Sequence, residues 1–209
     1  MTLRPGPAFP LDRPARIAVF ASGRGSNLRA LLNAFGPRDD LGRVVLVVSD
    51  KPRAKALERA REAGVEAKHI AWSDRERFEA EATALLDERE VDLVCLAGFM
   101  RLLSRGFVER YRDRLLNIHP SLLPSFRGLH PQRQALEAGA TETGCTIHFV
   151  DAGVDTGEIV LQCRVPVLPE DDEATLTARI LEREHEAYPE AVRLVLSGRA
   201  EPRAQADES

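Results

Sequence analysis

The stretch ARIAVFASGRGSN at 15–27 decides the fold: an apolar run and a glycine-rich turn lead into Leu28, Leu31 and Leu32, which recur at helical spacing over 27–35. This reads as strand, loop, helix. The pattern repeats outward. RVVLVVSD at 43–50 precedes an amphipathic stretch over 54–63 and a short strand near 69–72. A charged helix from Ser73 or Asp74 to about Glu90 leads into VDLVCLAG at 91–98. Strands apolar on both faces belong to a parallel sheet covered on both sides, so this half predicts a Rossmann-like arrangement.

Beyond Gly98 the pattern predicts a short helix around 107–114, a strand LLNIH at 115–119 stopped by Pro120, and a proline-rich loop PSLLPSFRGLHP over 120–131. A helix over 132–138, strands over 144–150 and 158–167, and a long helix over 173–196 complete the chain. The two late strands flank a turn, Asp151 to Gly157, and predict an antiparallel pair. The expected architecture is α/β: one domain over 15–198, a three-layer sandwich on a mixed, mostly parallel sheet. Residues 1–14 and 199–209 are expected to be flexible tails.

At 209 residues, 44% hydrophobic and 30% charged, the chain can bury one sizeable core. A net charge of -4 argues against a nucleic-acid binder and favours small-molecule substrates. No uncharged apolar run approaches a membrane span, and residues 1–16 show no secretory signal, so no membrane partner is expected. Cys95, Cys145 and Cys163 are widely spaced in apolar strands, as buried thiols of a cytoplasmic protein would be. The five histidines lack zinc-ligand spacing, so no metal is expected. The chain is expected to be a monomer or a weak homodimer.

Three constellations could carry chemistry. Ser22 to Asn27 joins the first strand to the first helix, where glycines and free helix N–H groups suit an anion. A tight turn capped by Ser26 or Asn27 reads equally well, because the third glycine of a dinucleotide fingerprint would fall at Leu28. Asn117 and His119 lie two apart on a strand and share a face; an amide donor and an imidazole aimed at one atom suit acyl or formyl transfer. A polar pair satisfied by loop carbonyls is the plainer alternative. Asp155, in a glycine-flanked turn, could pair with His119 and favour its charged form, or be ordinary turn chemistry. His148 reads as a core histidine, Glu184 and His185 as the polar face of the last helix, and 75–90 as a solvated helical face.

With LAGFMRLLS at 96–104, NIHPSLLPSFRG at 117–128, HFVDAGVDTGEIVLQ at 148–162 and EHEAYP at 184–189, the chain resembles the folate-dependent formyltransferases, in the branch acting on glycinamide ribonucleotide. The resemblance implies their fold, and transfer of a formyl group from 10-formyltetrahydrofolate to the substrate amine in purine synthesis. It implies that Gly25, Ser26 and Asn27 bind the phosphoribosyl end and Glu184 its ribose or amide side. Arg75, Met100, Arg101, Leu102, Leu103 and Asn117 would contact the folate, and the loop 151–155 would enclose its pteridine. Asn117, His119 and Asp155 would be catalytic. The chain departs from the family pattern at Arg127, where proline is usual, at Asp50, where asparagine is usual, and in the lead 1–14. A water-using deformylase, a tRNA-directed formyltransferase and a non-catalytic folate-binding module are the rival readings.

Overall fold

Two-faced apolar strands alternate with helices that each bury one stripe, and the computed structural model, which describes residues 8–200, assembles them as the alternation predicts. In chain order the elements are β1 (Ala15–Phe20), α1 (Ser26–Ala34), β2 (Gly42–Ser49), α2 (Lys55–Glu62), β3 (Glu66–His69), α3 (Arg75–Glu88) and β4 (Leu93–Leu96). They continue with α4 (Arg105–Arg110), β5 (Leu115–His119), α5 (Pro131–Glu137), β6 (Glu142–Phe149), β7 (Ile159–Pro166) and α6 (Glu173–Leu196). One sheet runs β3-β2-β1-β4-β5-β6-β7; β1 to β5 are parallel, and β6 and β7 are antiparallel to their neighbours.

Alternation along β1 divides the core into two layers. Ile17 and Val19 pack with Leu28 and Leu31 of α1, Leu57 of α2, and Ile180 and Val192 of α6. Ala18 and Phe20 face the other way, onto Phe78 and Leu86 of α3 and Phe107 of α4. The connections on either side of β1 therefore leave on opposite faces, which opens a crevice at the C-terminal ends of β1 and β4. Long helix α6 closes the first layer. It tolerates Pro189 in its interior, where Tyr188 donates to Leu96 O at 3.0 Å and Leu116 O at 3.3 Å and ties the helix to β4 and β5.

Three local expectations shift. β3 lies at Glu66–His69 rather than 69–72; it is a half-exposed edge strand whose register against Leu46–Ser49 supplies the hydrogen bonds that its side chains do not advertise. The helix expected at 107–114 is Arg105–Arg110, begun by Ser104, whose hydroxyl accepts from Phe107 N–H. The N-cap of α1 is Gly25 rather than Ser26 or Asn27.

The expected flexible lead is corrected over its described part. Phe9 and Leu11 pack against the core, and Arg13 makes a two-pronged pair with buried Asp92 at 2.6 and 3.0 Å. Asp92 Oδ2 also accepts from Arg16 N–H, fixing the lead to the start of β1. At the other end Arg199 N–H donates to Leu194 O and Ala200 packs on the core. The rest of both expected tails, 1–7 and 201–209, lies outside the described residues.

Replacing Tyr188 by Phe keeps the packing but strips two buried carbonyls of a donor. We expect a loss of about 1–2 kcal/mol in urea unfolding; an unchanged midpoint would show that the tie carries no net stability.

Candidate functional site

Ser22 anchors the crevice from the β1 side: its N–H donates to Gly98 O and its hydroxyl accepts from Met100 N–H, each near 3 Å. The loop then enters α1 through Gly25 at φ +68°, where a Cβ would lie 2.9 Å from Ala56 Cα. Left-handed backbone and that close approach both demand glycine. No side chain caps α1, so its first-turn N–H groups remain open to an anion. Arg24 and the first three turns of α6, including Glu173, Thr177 and Leu181, line a cleft of about 410 Å³ beside this loop.

Asn27 links the loop to α6. Its Nδ2 donates to Glu184 Oε2 at 2.7 Å, and its own Oδ1 is buried without a partner. Burial pushes the Glu184 carboxyl up to about 7, only partly offset by the Asn27 bond.

At the end of β5, Asn117 and His119 emerge on one face, and Asp155 reaches them from the turn after β6. His119 Nδ1 lies 3.4 Å from Asp155 Oδ2, and its Nε2 is 2.9 Å from Phe126 O. Gly128 N–H donates to the same Asp155 oxygen at 3.0 Å. Burial alone would raise the Asp155 carboxyl; the contact with His148, the Gly128 N–H and the nearby imidazoles outweigh it and hold the group below the usual carboxylate range. Asp155 adopts φ +52°, a left-handed conformation that asparagine and aspartate tolerate better than most residues.

His148 belongs to this cluster, contrary to its reading as an isolated core residue. It sits opposite Asn117 in the β5–β6 register, buried, with Nδ1 2.8 Å from Phe149 O. A carbonyl only accepts, so Nδ1 carries hydrogen; Nε2, 3.2 Å from Asn117 Nδ2, accepts from that amide when the ring is neutral and faces Asp155 as a donor when the ring is protonated. Asp155 Oδ1 lies 3.7 Å from the same nitrogen. The signal for His148 was strand pairing rather than motif spacing.

Arg75, Met100, Arg101 and Leu102 meet along a second cleft of about 570 Å³, together with Trp72, Asp74 and Glu76. Met100 and Leu102 are strongly exposed there. Leu103 instead packs against the layer that holds Phe20, Phe78 and Phe107. Arg101 Nε donates to wholly buried Asp50 at 2.7 Å, and its guanidinium lies 5.3 Å from the Trp72 ring centre. Neither Trp72 nor Asp50 was singled out as a site residue by the sequence. Among the described residues, no group of three or more His, Cys, Asp or Glu side chains is arranged to hold a metal ion, and no helix is long and apolar enough to cross a membrane.

A family model described as "Formyl transferase" matches residues 15–192. The chain is 45% identical over 186 residues to phosphoribosylglycinamide formyltransferase of Escherichia coli K12, covering 88% of each chain. It is 52% identical over 196 residues to the trifunctional purine biosynthetic protein adenosine-3 of Drosophila melanogaster; that match takes in 90% of this chain and spans only 14% of the longer protein. Among solved structures, glycinamide ribonucleotide transformylase 1 from Symbiobacterium toebii superposes with a TM-score of 0.85 at 49% identity, over 90% of this chain and 91% of that one.

The raised Glu184 carboxyl makes stability depend on pH. The folded state keeps its proton from the ordinary value of 4.5 up to about 7, while the unfolded chain has already lost it. Its contribution is therefore full below pH 4.5 and lost as pH rises to about 7, roughly 3 kcal/mol in all. We expect Glu184→Gln to flatten that decline in urea titrations at pH 5 and pH 8; an unchanged slope would place the proton elsewhere.

Proposed function

Because the chain belongs to the formyl transferase family, we propose that it moves the formyl group of 10-formyltetrahydrofolate to the amine of 5-phosphoribosylglycinamide, as a phosphoribosylglycinamide formyltransferase in purine synthesis. One observation carries this reading: Asn117, His119 and Asp155 gather at the same edge of the sheet as an uncapped helix N-terminus suited to a phosphate and a cleft lined by two arginines and by exposed Met100 and Leu102.

Gly25, Ser26 and Asn27 take the phosphoribosyl end, and Glu184, held by Asn27, the ribose or amide side. Met100 and Leu102 supply apolar contact for the folate, Arg75 and Arg101 charge for its acidic end, and Leu103 supports them from the core. Asn117 uses one amide hydrogen on His148; the second is free to meet the formyl oxygen as negative charge develops there. His119 exchanges its bond to Phe126 O for one to the same oxygen and donates a proton. Asp155, kept charged, stabilises the protonated imidazole and orients the water that carries the amine's proton toward the leaving folate nitrogen.

The protein is further proposed to work in the cytoplasm as a monomer or weak homodimer, without nucleic-acid or membrane partners. Its three free thiols and its acidic balance support that placement.

The test follows a 10-formyl folate analogue by absorbance and the nucleotide by mass spectrometry, with the ribonucleotide amine and with water alone. Amine-dependent transfer is expected. His119→Ala and Asp155→Asn should each cut turnover by about 10²–10⁴ with unchanged melting. Amine-independent release of formate would establish a hydrolase instead, and near-wild-type turnover in either variant would remove that residue from the mechanism.

A further inference from the structure

β2 leaves the sheet at Ser49, and the next side chain, Asp50, is completely buried. A buried carboxylate needs a cation or several donors. Asp50 has one: Arg101 Nε at 2.7 Å on Oδ2, while Oδ1 is buried without a partner. Arg101 comes from the loop after β4, so the pair joins the ends of β2 and β4 across the end of β1.

The other face of the guanidinium rests on Trp72, 5.3 Å from the ring centre. Trp72 is itself braced by Phe78 at 4.9 Å and Phe99 at 6.2 Å. Arg101 is thus fixed through Nε and through one face of its plane. No described residue takes a hydrogen bond from either terminal nitrogen. Those two nitrogens form a planar fork at the wall of the 570 Å³ cleft, the shape that matches a carboxylate two-pronged. Arg75, on the same wall, is exposed and has no described partner, so it supplies charge without a fixed direction. Asp74 and Glu76 also line the cleft and repel an anion that strays from the fork.

We propose that Asp50 is a positioning residue: by holding Arg101 it sets the enzyme's preference for a co-substrate whose ring system carries a carboxylate-bearing tail. This rests on the formyl-transfer reading and names the group within the folate that the cleft selects. The effect runs through geometry, since removing the Asp50 acceptor releases the guanidinium from one of its two restraints. Asp50 touches neither substrate, so the chemical step is untouched.

The experiment compares 10-formyl-5,8-dideazafolate with the same compound lacking its glutamate, on the full chain. KM and kcat are read from formyl transfer, and Kd from quenching of Trp72, the single tryptophan of the chain. Asp50→Ala should raise KM and Kd for the glutamate-bearing compound about tenfold, leave kcat within about twofold, and change nothing for the truncated one. Asp50→Asn, whose amide oxygen still accepts from Nε, should recover most of the loss. In an Arg101→Ala background Asp50→Ala should add no further loss. If Asp50→Ala does not fold, Arg101→Lys, which keeps the charge but lacks the fork, should show the same selective loss.

Equal effects on both compounds, an effect on kcat alone, or a wild-type enzyme indifferent to the glutamate would overturn the proposal. Selective binding without any transfer would overturn the formyl-transfer reading and leave the role of Asp50 standing.

Discussion

Burial of β1, β4 and β5 on both faces is the constraint from which the site follows. While a strand lies between two helical layers, a polar side chain on it must find a partner or be excluded. Ile17 to Phe20 and Leu93 to Leu96 are wholly or nearly wholly buried and apolar. Polar chemistry starts where the strands run out: Ser22 after β1, Asp50 after β2, Met100 and Arg101 after β4, Asn117 and His119 at the end of β5. Because β1 to β5 are parallel, all these ends fall on one edge, where α1 also points its free N–H groups. The division of the helices between two faces opens that edge into a crevice.

The antiparallel strands contribute differently. β6 brings His148 against Asn117, and the turn that follows returns Asp155 to His119. One carboxylate thus meets two imidazoles and the Gly128 N–H, which fixes the relation of the β5 end, the proline-rich loop and the turn after β6. Holding Asp155 in left-handed backbone opposes this arrangement; the hydrogen bonds and charges converging on the carboxylate offset it. Groups whose orientation is settled before substrate arrives need little reorganisation during reaction.

Features governed by local periodicity were legible in the sequence. The β1–loop–α1 unit, the shared face of Asn117 and His119, and the bounds of α6 follow from spacings of two or 3.6 residues. Contacts made by folding were not. Nothing within a few residues of Asp155 indicates that it meets His119, thirty-six positions earlier; the residue types allowed the pairing, and the resemblance to formyltransferases chose it over ordinary turn chemistry. His148 looked like a core residue, and it is buried as one, because its distinguishing contact is with a residue on the neighbouring strand. The lead escaped for the same reason: Phe9, Leu11 and Arg13 are scattered among prolines, and their partners, above all Asp92, lie far along the chain. β3 was misplaced because an edge strand is held by backbone bonds that leave little apolar pattern.

The crevice handles negative charge in three ways at three places. At the α1 end, backbone N–H groups and the helix dipole favour an anion, and the neighbouring acid, Glu184, is kept protonated by burial up to about pH 7. A charged carboxylate at that spot would oppose a phosphate. Beside Asn117 and His119, Asp155 is held below the usual carboxylate range, because two imidazoles and a backbone donor converge on it. After β4 a fixed cation, Arg101, is balanced by one buried carboxylate and keeps its two terminal nitrogens for an incoming group. A ligand with a phosphate at one end therefore meets dipoles, and one with a carboxylate meets a guanidinium. Under the proposed function the nucleotide's phosphate is then held by backbone dipoles and the folate's carboxylate by Arg101, two anions kept apart by the elements that carry their anchors.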